Sequence, residues 1–191
     1  MIIKLRKGEE MSYDFTLKNK KTGETLTMPI KYNLYGGTYE IGGTNKCWLN
    51  ITYNYSKYYY EASENDNRFR LQDGSNGALN ALEGISGLDS IPLLNDLINR
   101  IRTKYMVDGE WLKHDEIKKV PFDKKSGEEI INWQNNNIDK LKDVNWVNVS
   151  TFIDEGETDN YWKATAKNAV TALEGLLFLA KQRPDGVWRI D

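Results

Sequence analysis

The sequence has a single cysteine, Cys47, and a single histidine, His114. One cysteine excludes an intrachain disulfide, and the pair together excludes the usual zinc sites, which take several such ligands. A Ser-His-Asp or Cys-His mechanism would have to use His114, which lies in the charged stretch 111–116 and is expected at the surface. The sequence therefore predicts no catalytic residue, no metal and no cofactor, and it favours a reducing compartment.

Long hydrophobic runs and an excess of one charge are also missing. The longest apolar run, 176–180, is far shorter than the roughly 20 residues that span a bilayer. Residues 1–7 have too short an apolar core for a signal peptide. Basic residues number 26 and acidic residues 28, which argues against duplex nucleic acid as a partner. We expect a cytoplasmic protein without a membrane segment.

Tyrosine and tryptophan are abundant, with 11 and 6 copies. Both side chains combine an apolar body with a polar group, so they suit ligand pockets and protein interfaces. They are equally typical of a β-rich core with tyrosines at its edge, and composition alone does not distinguish these alternatives. Enrichment of such residues at interfaces also allows a homo-oligomer.

The first third of the chain predicts β-structure. Apolar residues from Tyr13 to Leu17 alternate with polar ones, and residues 20–24 supply a turn before a return strand over 26–35. The clearest strand is predicted over 47–60, where alternation separates two faces. The apolar face comprises Leu49, Ile51, Tyr53 and Tyr55, and the polar face comprises Trp48, Asn50, Thr52, Asn54 and Ser56.

Helices are predicted later in the chain. A short helix is expected over 77–85, closed by Gly87, and Ser90 is the expected N-cap of an amphipathic helix that follows. Thr165 is the expected N-cap of the final helix. That helix carries an apolar stripe of Ala169, Val170, Ala172, Leu173, Leu176, Leu177 and Ala180, and Pro184-Asp185-Gly186 ends it before a short strand at 187–190.

These patterns predict one α+β domain over residues 1–191, with an N-terminal antiparallel β-sheet and hairpins packed against two or three amphipathic α-helices. The expected parts are a β-rich segment 1–62, a helical segment 75–105, a variable insertion 106–160 with short helices, one near 128–141, and a C-terminal helix with a tail at 161–191.

Two polar features invite a functional interpretation. The acidic run Asp154, Glu155, Glu157 and Asp159 does not match the twelve-residue calcium loop, and a solvated loop is expected there. A carboxylate-dependent hydrolase would need two of these groups to face one another. The glycine pairs 36–37 and 42–43 fit neither phosphate-binding fingerprint. They predict either the turns of a hairpin or a backbone that a flat or anionic ligand approaches closely.

The polar face of the 47–60 segment is the leading candidate for a ligand site. Asparagine amides both donate and accept hydrogen bonds, nearby aromatic rings can stack on a planar group, and arginine can neutralise phosphate. The alternative is an open sheet face in water. The candidate ligand-binding residues are Thr38, Tyr39, Thr44, Trp48, Asn50, Thr52, Asn54, Tyr58, Arg183 and Arg189.

Several motifs together resemble a known set of proteins. They are GGTY at 36–39, WLNITYNYS at 48–56, SIPLL at 90–94, YWKAT at 161–165 and RPDGVW at 183–188. This combination resembles a family of small uncharacterised proteins of bacteriophages and prophage-like elements, over about half of the chain. Where the family starts its final helix with Thr-Pro-Gly-Asn, this chain has Thr165-Ala166-Lys167-Asn168. The resemblance implies a phage accessory protein in the bacterial cytoplasm, and it implies no catalytic residues.

Three functional hypotheses follow. The first is a non-enzymatic phage protein that binds and sequesters a small nucleotide-type ligand to counter host antiviral defence. The second is a protein-binding inhibitor or adaptor of a host or phage complex. The third is a carboxylate-dependent hydrolase.

Overall fold

The computed structural model describes residues 12–33, 43–121 and 146–191. Within them, three α-helices and several small antiparallel sheets confirm the predicted α+β class. The described residues divide into two units, one within Met1–Leu112 and Glu155–Asp191, the other within Lys113–Asp154. None of the described helices is both long and apolar enough to cross a membrane.

A three-stranded antiparallel sheet forms the β part of the first unit. Strand β1 (Ser12–Lys18) lies in the centre, between β4 (Trp48–Thr52) and β9 (Val187–Ile190). In β1, Phe15 and Leu17 are fully buried, as the alternation predicts, but Thr16 between them is buried as well. Phe15 lies opposite Leu49 on one side and Ile190 on the other, so these apolar residues share the inner face.

The predicted strand over 47–60 is wrong beyond Thr52. A 3₁₀ turn (Tyr53–Tyr55) follows β4 and leads into helix α1 (Ser56–Ser63). The Thr52 hydroxyl accepts a hydrogen bond from the Asn54 N–H at 3.2 Å and begins the turn. Tyr55, Tyr58 and Tyr59 have i, i+3, i+4 spacing, and all three are buried because this spacing places them on one helical face.

A second antiparallel pair consists of β2 (Thr27–Tyr32) and β3 (Thr44–Lys46). The predicted return strand over 26–35 corresponds to β2. Residues 34–42 of the glycine-rich segment between these strands, with Thr38 and Tyr39, lie outside the described residues, so its two interpretations stay predictions.

Helix α2 (Gly87–Tyr105) begins earlier than predicted. Its N-cap is Ser86, whose hydroxyl accepts a hydrogen bond from the Asp89 N–H at 3.0 Å. Ser90 is buried inside the helix and accepts a hydrogen bond from Trp188 Nε1 at 2.8 Å. Gly87 therefore opens α2 and does not close a preceding helix. The short helix expected over 77–85 is a 3₁₀ turn (Ala78–Leu82).

Helix α3 (Ala166–Gln182) confirms the prediction for the C-terminal region. The Thr165 side chain accepts a hydrogen bond from the Asn168 N–H at 3.3 Å, as expected of an N-cap. The whole predicted apolar stripe is buried, and α3 packs mainly against α2. Strand β9 follows the Pro184 turn, and its Trp188 is fully buried beside Phe15.

The region 106–160 contains strands where short helices are predicted. Strands β5 (Met106–Val107) and β6 (Glu110–Trp111) form a hairpin in the first unit. Asp108 and Gly109 connect them with φ of 51° and 83°, the conformation that a tight two-residue hairpin turn requires. The second unit contains the antiparallel pair β7 (Lys113–Pro121) and β8 (Trp146–Asp154). The predicted helix near 128–141 lies outside the described residues.

Candidate functional site

The outer face of the three-stranded sheet brings together part of the predicted ligand set. Trp48 Nε1 and Asn50 Nδ2 donate to Asp14 Oδ1 at 3.0 and 2.9 Å, and Asn50 Nδ2 also lies 2.7 Å from Ser12 Oγ. Thr16 in the central strand β1 lies opposite Trp48 of β4 on one side and opposite Arg189 of β9 on the other. Trp48, Asn50 and Arg189 thus share one face of the sheet.

This outer face satisfies its own polar groups. The donors of Trp48 and Asn50 are directed at Asp14, and Arg189 Nη1 donates to Glu83 Oε1 at 2.8 Å. A ligand here would have to displace these bonds on a sheet surface. Sequence reasoning missed Asp14, although the alternation of β1 places it on the polar face with Ser12 and Thr16.

The edge of β4 beside this face is covered by Tyr161. Its hydroxyl donates to Asn50 O at 3.0 Å and accepts from the Thr52 N–H at 3.2 Å. These two backbone groups would otherwise face a neighbouring strand, because β4 is at the edge of its sheet. A side chain more than 100 residues away thereby closes the edge.

Five of the other predicted ligand residues are engaged elsewhere. Thr44 and Thr52 are buried, and the Thr44 hydroxyl accepts from the Lys46 N–H at 3.1 Å. Asn54 Nδ2 donates to Trp162 O at 2.7 Å. Tyr58 is fully buried, so its ring is not exposed for stacking as the sequence suggested, because it lies on the inner face of α1. Arg183 contacts Asp185 and Thr27 O beyond the end of α3.

The acidic run 154–159 does not converge. Glu155 is fully buried and accepts hydrogen bonds from Tyr58 and from the Ala166 N–H. Glu157 pairs with Lys163, and Asp154 pairs with Lys113 in the second unit. Among the described residues, no three histidine, cysteine, aspartate or glutamate side chains are grouped to hold a metal. His114 lies on β7 opposite Ile153, not in the first unit.

A groove that the sequence did not predict lies between the end of α2, the β5–β6 hairpin and the start of α3. Its volume is about 340 Å³, within the usual range for small-molecule sites. Four lining residues of α3 have i, i+3, i+4, i+7 spacing and so lie on one helical face. The lining residues are Arg102, Met106, Trp111, Lys167, Val170, Thr171 and Glu174.

The chemistry of this Trp111 groove combines an aromatic ring with two cations. Trp111 is half-buried against the core. Arg102 Nη2 contacts Glu174 Oε1 at 2.6 Å, which connects α2 with α3 beside the groove. Lys167 has no ion-pair partner in the part of the chain that the structure describes. It lies in the first turn of α3, where the helix dipole disfavours a cation and favours an anion.

The sequence contained a signal for this groove. Asp108-Gly109 between two short β-forming segments is a strong indication of a hairpin, and it positions Trp111 opposite Met106. The relation of Trp111 to Lys167 could not be inferred, because the two residues are distant in sequence and meet only through the packing of α3.

A second groove lies between α1 and α2 and has a volume of about 360 Å³. Its charged groups are paired within the protein. Lys104 Nζ and the Tyr105 hydroxyl donate to Glu61 Oε2 at 2.8 and 2.6 Å, and Arg100 Nη2 contacts Asp66 at 2.7 Å. Both cations of this groove therefore already have an acidic partner, whereas Lys167 of the Trp111 groove has none among the described residues.

Comparisons with protein-family models, curated proteins and solved structures gave no match. The functional interpretation consequently depends on the geometry and on the sequence motifs.

Proposed function

We propose that this chain is a non-enzymatic binding protein for a small, planar, anionic ligand of the nucleotide type, held in the Trp111 groove. The observation that carries the proposal is the ring of Trp111 in the same groove as Lys167, a cation without an ion-pair partner among the described residues. An aromatic face suits the base, and a cation suits the phosphate.

The biological setting of the proposal comes from the motif resemblance. A phage accessory protein in the bacterial cytoplasm that sequesters a nucleotide signal would counter host antiviral defence. Sequestration requires binding without turnover. In the described residues, Glu155, Glu157 and Asp154 each contact a different partner and do not face one another, which supports a protein that binds without turnover. We include self-association in this proposal, since the β7–β8 ribbon exposes surface that a second copy could bind.

The test is isothermal titration calorimetry of the full chain with mononucleotides, cyclic dinucleotides, the matching nucleosides and inorganic phosphate. We expect a nucleotide to bind more tightly than its nucleoside or phosphate alone, because the ring and the cation each contribute. Trp111→Ala should weaken binding about tenfold or more, since stacking of a base on an aromatic side chain contributes about 1–3 kcal/mol.

Matched variants separate the Trp111 groove from the sheet face. Lys167→Ala should weaken nucleotide binding, whereas Lys181→Ala removes the same charge from the other end of α3 and should not. Trp48→Phe with Asn50→Ala tests the outer sheet face and should leave affinity unchanged. Absence of any heat or co-purified small molecule across the panel would contradict ligand binding. Loss of affinity only in the Trp48 and Asn50 variant would contradict the assignment to the Trp111 groove.

The alternative of a protein-binding inhibitor or adaptor is favoured by one observation. Phe152 is 63% exposed on the β7–β8 ribbon, and large exposed apolar side chains are typical of interaction surfaces. If a host protein binds here, pull-down from bacterial lysate should recover one specific partner with the wild type and lose it with Phe152→Ser. Equal recovery by both proteins would contradict this alternative.

A further inference from the structure

The charged residues of the Trp111 groove limit how much negative charge it can hold. Two cations and one carboxylate line the groove, namely Lys167, Arg102 and Glu174. Because Arg102 Nη2 contacts Glu174 Oε1 at 2.6 Å, these two charges largely offset each other. Lys167 is left as the cation that has no ion-pair partner within the described residues. The groove therefore has one net positive charge, whereas a single phosphate monoester carries about −1.5 to −2 at pH 7.

Glu174 disfavours negative charge at one end of the groove. It follows Lys167 by two turns of α3, which separates the two residues by about 10 Å along the helix axis. Thr171 lies between them on the same helical face, and its hydroxyl donates to Lys167 O at 2.9 Å. A polyphosphate extending from Lys167 along this face would meet a hydroxyl whose proton is already donated, and then a carboxylate. Repulsion of this kind is a common means of excluding a wrong ligand.

The N–H groups at the start of α3 are already occupied. The first four N–H groups of a helix have no acceptor within the helix, and in many proteins they bind phosphate. In α3 these four groups, from Thr165 to Asn168, donate hydrogen bonds inside the protein. Their acceptors are Lys163 O, Glu155 Oε2, Glu155 O and Thr165 Oγ1, at 2.9, 2.7, 3.0 and 3.3 Å. A second phosphate placed before Lys167 would therefore have to displace these hydrogen bonds.

We infer that the Trp111 groove selects nucleotides with a single phosphate group, and that Glu174 excludes di- and triphosphates. The inference rests on the proposed function and names the ligand class of the same groove. The base stacks on Trp111 and the phosphate binds Lys167. Glu174 determines specificity in two ways: it pairs with Arg102, the second cation, and its own charge repels a further phosphate.

The test is isothermal titration calorimetry with the 5′-mono-, di- and triphosphates of adenosine and guanosine, without divalent cations and at constant ionic strength. The wild type should bind the monophosphate at least as tightly as the triphosphate. In Glu174→Gln the repulsion is gone, and Arg102 can form charge-assisted hydrogen bonds with a further phosphate. This variant should bind the triphosphate about tenfold more tightly than the wild type does, and the monophosphate within about threefold of the wild type.

Two further variants show whether the gain comes from Arg102. Glu174→Gln combined with Arg102→Gln restores the net charge of the wild-type groove and should abolish the gain for the triphosphate. Glu83→Gln removes the same charge from a comparable exposed pair, in which Glu83 contacts Arg189 at 2.8 Å, and should leave every affinity unchanged. Circular dichroism establishes that each variant is folded.

Two results would overturn the inference and leave the proposed function intact. One is a triphosphate that binds the wild type about tenfold more tightly than the monophosphate does. The other is a ratio of monophosphate to triphosphate affinity that is the same in the wild type and in Glu174→Gln. If the wild type binds none of these nucleotides, the inference is wrong, and the wider ligand panel of the proposed function then decides whether that function is wrong as well.

Discussion

The Tyr58 hydroxyl donates a hydrogen bond to Glu155 Oε2 at 2.7 Å, and both side chains are fully buried. The same carboxylate oxygen accepts the N–H of Ala166, the first residue of α3, at 2.7 Å. A buried carboxylate needs such donors, because burial of an unsatisfied charge is costly. Glu155 therefore joins helix α1 to the start of helix α3.

Removal of this carboxylate should destabilise the first unit. We expect Glu155→Ala to lower the free energy of unfolding by about 2–4 kcal/mol, and Tyr58→Phe to lower it by about 1–2 kcal/mol, because each leaves buried partners unsatisfied. Urea unfolding followed by circular dichroism measures both. Glu157→Ala is the control: its partner Lys163 is partly exposed, so the loss should stay below about 1 kcal/mol. Equal effects of Glu155→Ala and Glu157→Ala would contradict this role.

Gly87 lies where α2 meets the turn after α3. A Cβ at this position would be 2.5 Å from Arg183 O and 3.1 Å from Pro184 Cα, both backbone atoms. Alanine normally stabilises a helix relative to glycine, but here we expect Gly87→Ala to destabilise the protein by about 1–3 kcal/mol through overpacking.

Thermal and urea unfolding of Gly87→Ala would measure this loss. Leu88→Ala, one residue further along and at an exposed position, should change stability by less than about 0.5 kcal/mol. A Gly87→Ala variant as stable as the wild type would show that the turn after α3 moves to accommodate the methyl group, and would contradict this prediction.

Asp66 should make stability depend on pH. Hydrogen bonds from the Arg68 guanidinium, with a further one from Arg100, hold the pKa of the Asp66 carboxyl well below its ordinary value of 3.8. A carboxyl whose pKa is lower in the folded state stabilises the protein above the unfolded-state pKa, and this contribution disappears as pH falls. The stabilisation from Asp66 should therefore be complete at pH 7 and decrease progressively below about pH 4.

The measurement compares urea unfolding of the wild type and Asp66→Asn at pH 7, 5 and 3. The difference in free energy of unfolding should be the same at pH 7 and 5 and smaller at pH 3. The exposed Asp159→Asn variant serves as a control for general acid effects. A difference between wild type and Asp66→Asn that stays constant down to pH 3 would contradict the assignment.

Cys47 should be chemically inert in the folded protein. It is fully buried, and burial raises the pKa of its thiol to about 11. At pH 8 only about one thiol in a thousand would be ionised, and the thiolate is the reactive form. Ellman's reagent should thus detect no thiol in the native protein and one per chain in guanidinium chloride. A Ser75→Cys variant, exposed on a loop, should react at once without denaturant. Rapid reaction of native Cys47 would contradict its burial.

Local periodicity predicted the regular elements well where one face of an element is buried. Helix α3 was predicted with its N-cap Thr165 and its end before Pro184, because its apolar stripe and its capping residues are adjacent in sequence. The alternation of β1 and the first half of the 47–60 segment likewise predicted their buried faces. Prediction failed beyond Thr52, where Tyr53, Tyr55 and Ser56 fit both a strand and a helical turn.

The choice of N-cap shows why local signals were insufficient. Ser86 and Ser90 are both suitable caps by residue type. Ser86 is the N-cap of α2, and Ser90 lies one turn inside the helix, where it accepts the indole N–H of Trp188, which is 98 residues away. Likewise, the polar face of β4 was predicted correctly for Trp48 and Asn50, but the binding of both donors by Asp14 depends on pairing with β1.

The sequence by itself determined the α+β class and the C-terminal helix, because each depends on residues within a few positions of one another. Tertiary structure alone decided that Tyr58 is buried against Glu155 and that Trp111 and Lys167 line one groove. These contacts join residues far apart in the chain, and their energy is gained only when the helices and strands pack together. Neighbouring residues in the sequence do not indicate which distant residue will accept a hydrogen bond from a buried donor. The burial of Tyr58 and the residues of the candidate site therefore depended on the tertiary packing.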